Sequence, residues 1–263
     1  MNDIWPMQPL SIRFLGTGTS QGVPVIGCEC RVCRSPDEKD NRLRTSALVH
    51  AGDASLLIDA GPDMRQQMLA HDVKHLDAVL LTHEHMDHIA GMDDLRSFNF
   101  SQGRAMDIHA NAATLEAVKR TFHYAFAVHR YPGVPEFRLH EVEGQHFKAA
   151  DVDVAPLEVM HYQMPVLGYR IGGLAYITDA KTIDERQMAK LEGTDVLVLN
   201  ALRQQEHISH LNLKEAIAIA QRIGARLTFF THISHLMGRH EEVERELPEG
   251  IHLAYDGLKV DVQ

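Results

Sequence analysis

Short apolar runs alternate along the chain with amphipathic stretches. Runs rich in Val, Ile, Leu and Thr, bounded by Gly, Asp or Pro, predict strands. They fall at Ser11–Leu15, Ser46–His50, Ser55–Asp59, Ala78–Thr82, Met106–His109, Val152–Val159, Gly168–Ile171, Leu174–Thr178, Val196–Asn200, Arg226–Thr231 and Lys259–Val262. Gly172-Gly173 between two of these reads as a hairpin turn. Apolar residues at helical spacing predict helices over Asp63–His71, Ala112–Tyr124, Asp184–Leu191 and Leu213–Ile223. The last is preceded by Asn212 and carries Glu215 three residues on, a capping-box pattern. Strands outnumber helices, and short turns join pairs of strands. This order predicts packed sheets with helices outside, rather than a Rossmann fold. Gly16-Thr17-Gly18 is only a partial dinucleotide fingerprint, because Gln21 stands where the third glycine belongs.

Composition narrows the classes. With 263 residues and 44% apolar content the chain can bury a sizeable core. No apolar run reaches the roughly 18–20 residues of a membrane span. Met1 to Leu10 holds Asp3 and no early positive charge, so it does not read as a secretory signal. A cytoplasmic location without membrane attachment is expected. The net charge of −10 opposes non-specific binding to nucleic acid but leaves room for a small anionic substrate at a metal site.

Eighteen histidines are present, and their placement matters more than their number. His83, His85, Asp87 and His88 follow directly on the apolar run Ala78–Thr82. Two histidines one residue apart project from one side of an extended segment. A turn then brings Asp87 and His88 in from a second direction. Four such ligands can serve two ions, and imidazole with carboxylate suits Zn, Mn or Fe. Separately, Cys28, Cys30 and Cys33 form a C-x-C-x-x-C cluster. Three thiols this close are no disulfide framework and read as a zinc site short of one ligand.

The His83-x-His85-x-Asp87-His88 string, with Gly91 beyond it and Leu57-Ile58-Asp59-Ala60-Gly61 before it, resembles the signature of the metallo-β-lactamase superfamily. The resemblance spans nearly the whole chain, from Gly16-Thr17-Gly18 to Asp256-Gly257. It implies an α+β fold, the four-layer αβ/βα sandwich, as a single domain over residues 1–263. It further implies two active-site metal ions, Mn or Zn. His83, His85 and His161 would serve one and Asp87, His88 and His232 the other, with Asp179 bridging. Asp59 would orient a ligand. Within the superfamily, the Cys loop and the ending Tyr255-Asp256-Gly257 resemble the cyclic-phosphate phosphodiesterases that accompany the carbon–phosphorus lyase route of phosphonate degradation. That branch implies His235 as the fourth ligand of a structural zinc, pinning a loop at about residues 16–35. It also implies His210, before the helix Leu213–Ile223, as a substrate-facing general acid. The stretch Asn200–His207 departs from the Cys-Ser-His-type segment of that branch, on the substrate side.

The expected activity is hydrolysis of small phosphodiesters, cyclic ribose phosphates first, by hydroxide held on a metal pair to which Asp87 contributes. A tRNA 3′-end processing nuclease and a non-catalytic zinc-binding module are the alternatives. A small-molecule phosphodiester is the expected partner, with a homodimer as the candidate assembly. Arg44, Arg96, Arg170 and Arg203 are candidate phosphate clamps, and the sequence does not choose among them.

Overall fold

The computed structural model describes residues 9–263. Most of the Met1–Leu10 stretch read above as no secretory signal lies outside them. Among the described residues two seven-stranded sheets face each other. The first is formed by β1 (Leu10–Gly16), β2 (Ser46–Ala51), β3 (Ala54–Ile58), β4 (Ala78–Leu80), β5 (Met106–Ala110) and β6 (Phe137–Glu141). The chain then crosses to the second sheet. There it lays down β7 (Phe147–Ala149), β8 (Val152–His161), β9 (Met164–Ile171), β10 (Leu174–Ile177), β11 (Val196–Asn200), β12 (Leu227–Thr231) and β13 (Ile251–Leu253) in neighbouring order. Finally β14 (Lys259–Val262) returns to pair antiparallel with β1. Both sheets are mixed: β2 and β3 are antiparallel, whereas β3, β4, β5 and β6 run parallel.

The alternation of side chains across each strand builds three apolar layers. On β3, Leu56 and Ile58 enter the core between the sheets while Leu57 faces the opposite side. On β11, Val196 and Val198 face the inter-sheet core, and Leu197 and Leu199 the outer one. Strands buried on both faces show continuous apolar runs, which is why these were legible in the sequence. The outer face of the first sheet is covered by α1 (Met64–Ala70), α2 (Met86–Ile89), α3 (Arg96–Gln102) and α4 (Ala112–Thr121), through Met64, Met68, Ile89, Phe98, Leu115 and Val118. The outer face of the second packs against α5 (Glu185–Ala189), α6 (Leu213–Ile223) and α7 (His240–Glu244), through Met188, Leu213, Ala216 and Val243. Helix, sheet, sheet, helix is the four-layer α+β sandwich expected.

Most predicted strands and helices are present with ends shifted by a few residues. The Gly172-Gly173 turn joins β9 to β10, and Asn212 caps α6 in a reciprocal box with Glu215. The pattern missed β6, whose Arg138, His140 and Glu141 give it the polar face of an edge strand, and the three-residue β7 and β13. It also missed α2, α3 and α7. No helix among the described residues is long and apolar enough to cross a membrane.

Candidate metal centres

The functional side chains gather where strands of both sheets end on one edge. From the first sheet, Asp59 follows β3 and His83 and His85 follow β4. From the second, His161 ends β8, Asp179 follows β10 and His232 follows β12. Asp87 and His88 arrive on the one-turn helix α2, where the sequence reading had a turn. Asp59, Asp179 and His232 adopt φ values of 60°, 59° and 56°. Left-handed backbone at a non-glycine residue costs energy and persists only where the surroundings hold it. Here it turns each side chain out of its strand and toward the common centre.

Backbone crossing fixes the two loops of the first sheet. A Cβ built on Gly91 would stand 2.0 Å from the Gly61 carbonyl oxygen, and one on Gly61 would stand 2.1 Å from the Asp87 carbonyl oxygen. Only glycine permits either approach. Gly91→Ala is therefore expected to cost about 2–3 kcal/mol of stability and to loosen Asp87 and His88. Thermal melts with and without added divalent metal check this, and a melt equal to wild type would contradict it.

The expected ligands converge. Asp87, His88 and His232 form one close group, and His83, His88 and Asp179 another. His161, Asp179 and His210 form a third, so Asp179 is shared between sets, as a bridging carboxylate must be. His88 Nε2 lies 3.2 Å from Asp87 Oδ2 and 3.5 Å from Asp179 Oδ1, and His232 Nε2 lies 3.3 Å from Asp179 Oδ2. Ligands bound at the usual 2.0–2.1 Å stand about 3.4 Å apart around a tetrahedral ion. His85 belongs to none of these groups. Its Nδ1 is 3.0 Å from His83 Nε2 and its ring centroid 5.2 Å from that of His161, at the outer side of the cluster.

Neighbours aim the imidazoles. Asp59 accepts from Thr82 N and Thr82 Oγ1, at 2.8 and 2.9 Å, and from His88 Nδ1 at 2.7 Å. Because the Thr82 hydroxyl proton goes to Asp59, His83 Nδ1 must donate to that oxygen across 2.9 Å. His161 Nδ1 donates to the Ser209 carbonyl at 2.9 Å. In all three rings Nε2 is left as the inward ligand atom, the arrangement in which outer hydrogen bonds set a metal ligand's tautomer. Thr82, Ser209 and Asn200, which brackets Ala180 N and O at 2.7 and 2.9 Å and so holds the Asp179 turn, were not foreseen. They carry no ligand chemistry and act only through contacts made in the fold.

The residues fit a bound cation pair. His88 Nε2 and both nitrogens of His232 are enclosed yet have no hydrogen-bond partner among the described residues. An enclosed polar atom left unpaired costs about 1–3 kcal/mol, so the inward Nε2 atoms of His88 and His232 are placed to be satisfied by a cation. Charge tells the same story. Among the chain's own groups, burial would lower His88, but Asp179, Asp59 and Asp87 outweigh it and raise His88 well above its usual range, so the three carboxylates draw positive charge into the cage. Asp179 is fully buried, yet His232 and His88 keep its carboxyl well below the ordinary value. Burial pushes His210 down to about 4, against the opposing pull of Asp179.

A second cluster lies on the adjoining loop. Cys28, Cys30 and Cys33 present their sulfurs 3.4, 3.4 and 3.5 Å from His235 Nδ1. Around a tetrahedral zinc with ordinary Zn–S and Zn–N bonds that separation is about 3.6 Å. The Cys33 amide donates to Cys30 Sγ and brings that thiol down to about 6, whereas burial pushes the Cys33 thiol up to about 11. His235 sits three residues beyond His232, so one loop joins both clusters. The base of the cysteine loop is pinned independently. Asp256 accepts from Thr17 Oγ1 and Leu43 N, each at 2.7 Å, and the buried Arg42 donates to Thr17 Oγ1 and to Ala254 O.

Comparisons with known proteins agree with this geometry. The family described as "Beta-lactamase superfamily domain" matches residues 55–233. A solved structure described as a new diphosphatase from the PhnP family is 40% identical, covers 96% of this chain and 97% of its own, and superposes with a TM-score of 0.91. An octanoyltransferase of Porphyromonas gingivalis strain W83 is 44% identical over 250 residues, 94% of this chain. The chain spans half the length of that curated relative. Zn(2+)-bound PqqB from Methylobacterium extorquens shares the fold, at 22% identity over 96% of this chain and all of its own, with a TM-score of 0.78.

Proposed function

The chain belongs to the β-lactamase superfamily domain family, and within it to the PhnP family; from that premise we propose that it is a two-metal phosphoesterase of small phosphodiesters, cyclic ribose phosphates first. One observation carries the reading. Six His and Asp side chains (His83, Asp87, His88, His161, His210 and His232) converge at one edge of the two sheets around a shared, buried Asp179, and a cation would satisfy the enclosed Nε2 atoms of His88 and His232. Two divalent cations supply Lewis-acid polarisation of a phosphoryl oxygen and acidification of water.

The chain's own groups do the rest. His83, His88 and His161 are locked with Nε2 inward by Thr82, Asp59 and Ser209. His210 stands with Nε2 3.1 Å from Asp179 Oδ2 and Nδ1 3.0 Å from Ser209 Oγ, facing the same centre. Its Nε2 gives its N–H to the acceptor-only Asp179 carboxylate; with that carboxylate engaged by cations the N–H would be released, and we propose that it then donates to the substrate's developing oxyanion. The general acid expected from the sequence differs from this role only in whether the proton leaves His210. His210→Ala is expected to lower kcat about 10²-fold with KM little changed, and His210→Gln, which keeps an N–H, to recover part of the loss. Equal losses in both variants would restore the general-acid role.

A second reading has specific support: cleavage of a diphosphate linkage, because the PhnP-family relative at 40% identity is a diphosphatase. The tRNA-processing alternative is disfavoured by the net charge of −10. The test is metal content by mass spectrometry together with turnover of a cyclic ribose phosphate, bis(p-nitrophenyl) phosphate, a phosphomonoester, a diphosphate diester and a thioester. Three metals per chain with diester turnover is the expected result. Diphosphate cleavage without diester cleavage would favour the second reading, and turnover of the thioester alone would overturn both.

A further inference from the structure

Three of the four candidate arginines are committed elsewhere. Arg96 pairs with Asp93, and its Nε donates to the Asp93 carbonyl at 3.1 Å. Arg170 donates to the carbonyls of Gly172, Lys190 and Glu192. Arg203 donates to Gln205 O at 3.3 Å and Glu206 O at 2.7 Å.

Arg44 is placed differently. It lies two residues before the start of β2, on the edge where β1 and β3 end, which is the edge of the metal cage. Gly18 bridges Arg44 on one side and Ile233, the neighbour of His232, on the other. A Cβ on Gly61, which would touch the Asp87 carbonyl, would also lie 3.8 Å from Arg44 Cβ, so the arginine stem runs along the glycine that abuts the Asp87 loop. The guanidinium extends across Gly22, where Nη1 would stand 3.5 Å from an added Cβ.

One side of that guanidinium is anchored. Asp63 Oδ2 accepts from Arg44 N at 2.8 Å and lies 3.1 Å from Arg44 Nε, and Gln67 Nε2 donates to Arg44 O at 2.8 Å. The Asp63 side chain is 12% exposed and that of Arg44 29%, so the pair is set into the surface rather than waving from it. Among the described residues neither Nη atom makes a hydrogen bond. A partly exposed guanidinium ion-paired to Asp63 along its Nε side, with both Nη groups uncommitted, on the sheet edge that carries the cation ligands, is a fork for an oxyanion.

We propose that Arg44 binds the anionic, non-bridging oxygens of the substrate's phosphoryl group on the Asp87 side of the cage, with Asp63 as its tether. Arg44 thereby selects anionic phosphate esters over neutral esters. This rests on the phosphoesterase reading above and extends it to a specificity residue outside the ligand set.

The experiment uses the metal-loaded full chain with bis(p-nitrophenyl) phosphate as substrate and inorganic phosphate as competitive inhibitor. Arg44→Ala is expected to raise both KM and the phosphate inhibition constant about 10- to 100-fold, with kcat within a few-fold of wild type. Arg44→Lys keeps the charge but loses the fork, and should fall between. Millimolar guanidinium should restore phosphate binding to Arg44→Ala, an effect that a loss of packing would not show. If the alanine variant does not fold, the lysine variant carries the test through the same two constants. Unchanged constants in the Arg44 variants of an active enzyme overturn the clamp alone. A fully loaded wild type that neither cleaves the diester nor binds phosphate overturns the phosphoesterase reading and the clamp with it.

Discussion

Asp179→Ala is expected to abolish phosphodiester turnover, with a loss on the order of 10³-fold or more, and to reduce the metal content from three ions per chain toward one. The carboxylate is shared between the His83–His88 group and the His161–His210 group, and it lies within 3.3 Å of His232 Nε2. No neighbouring carboxylate can replace it: Asp59 is turned outward to His88 Nδ1 and Thr82, and Asp87 serves the far side of the cage. The turn that carries Asp179 is held by Asn200 through the backbone N and O of Ala180, bonds that do not involve the Asp179 side chain, so the fold should survive the change. Metal content by mass spectrometry, a melt and a diester assay on one preparation separate the outcomes. A folded variant that keeps three metals and turns over within tenfold of wild type would remove Asp179 from the bridging position.

Cys30→Ser should lose one zinc per chain and destabilise the protein by at least ~3 kcal/mol, a fall in melting temperature on the order of 10 °C for a chain of this size. Three sulfurs held 3.4–3.5 Å from one imidazole nitrogen form a closed set, and removing one thiolate opens it. Collapse should stay local, because Arg42, Thr17 and Asp256 fasten the base of the loop from the C-terminal side. The active-site pair should remain bound, since its ligands stand on other elements. His232 alone shares a loop with His235, so a weaker hold on one active-site ion is the expected secondary effect. Zinc content equal to wild type, with a melt within about 2 °C, would sink the structural assignment.

Much of this arrangement could be read along the chain. Strands buried on both faces, such as Leu56–Ile58 and Val196–Leu199, show in the sequence because both faces demand apolar side chains. The string His83 to His88 and the cysteine cluster were visible for a similar reason: each packs several ligands into one turn or loop, so proximity in sequence nearly equals proximity in space. His161, Asp179, His232 and His235 were single polar residues after strands, and only a family resemblance singled them out.

The sequence by itself therefore determined the layered α+β architecture, the local half of each metal site and the chemical class of their ligands. Those features depend on short-range periodicity and spacing. Tertiary structure alone decided the rest. It brought the ends of β4, β8, β10 and β12 to a single edge. It assigned Asp59 to His88 and Ser209 to His161, and of the four candidate arginines it placed Arg44 on the cage edge with both Nη groups uncommitted. Each of these pairings spans tens of residues or joins two sheets. Such contacts are fixed by strand order and by the crossing of backbones at Gly61 and Gly91, which no local pattern of side chains encodes.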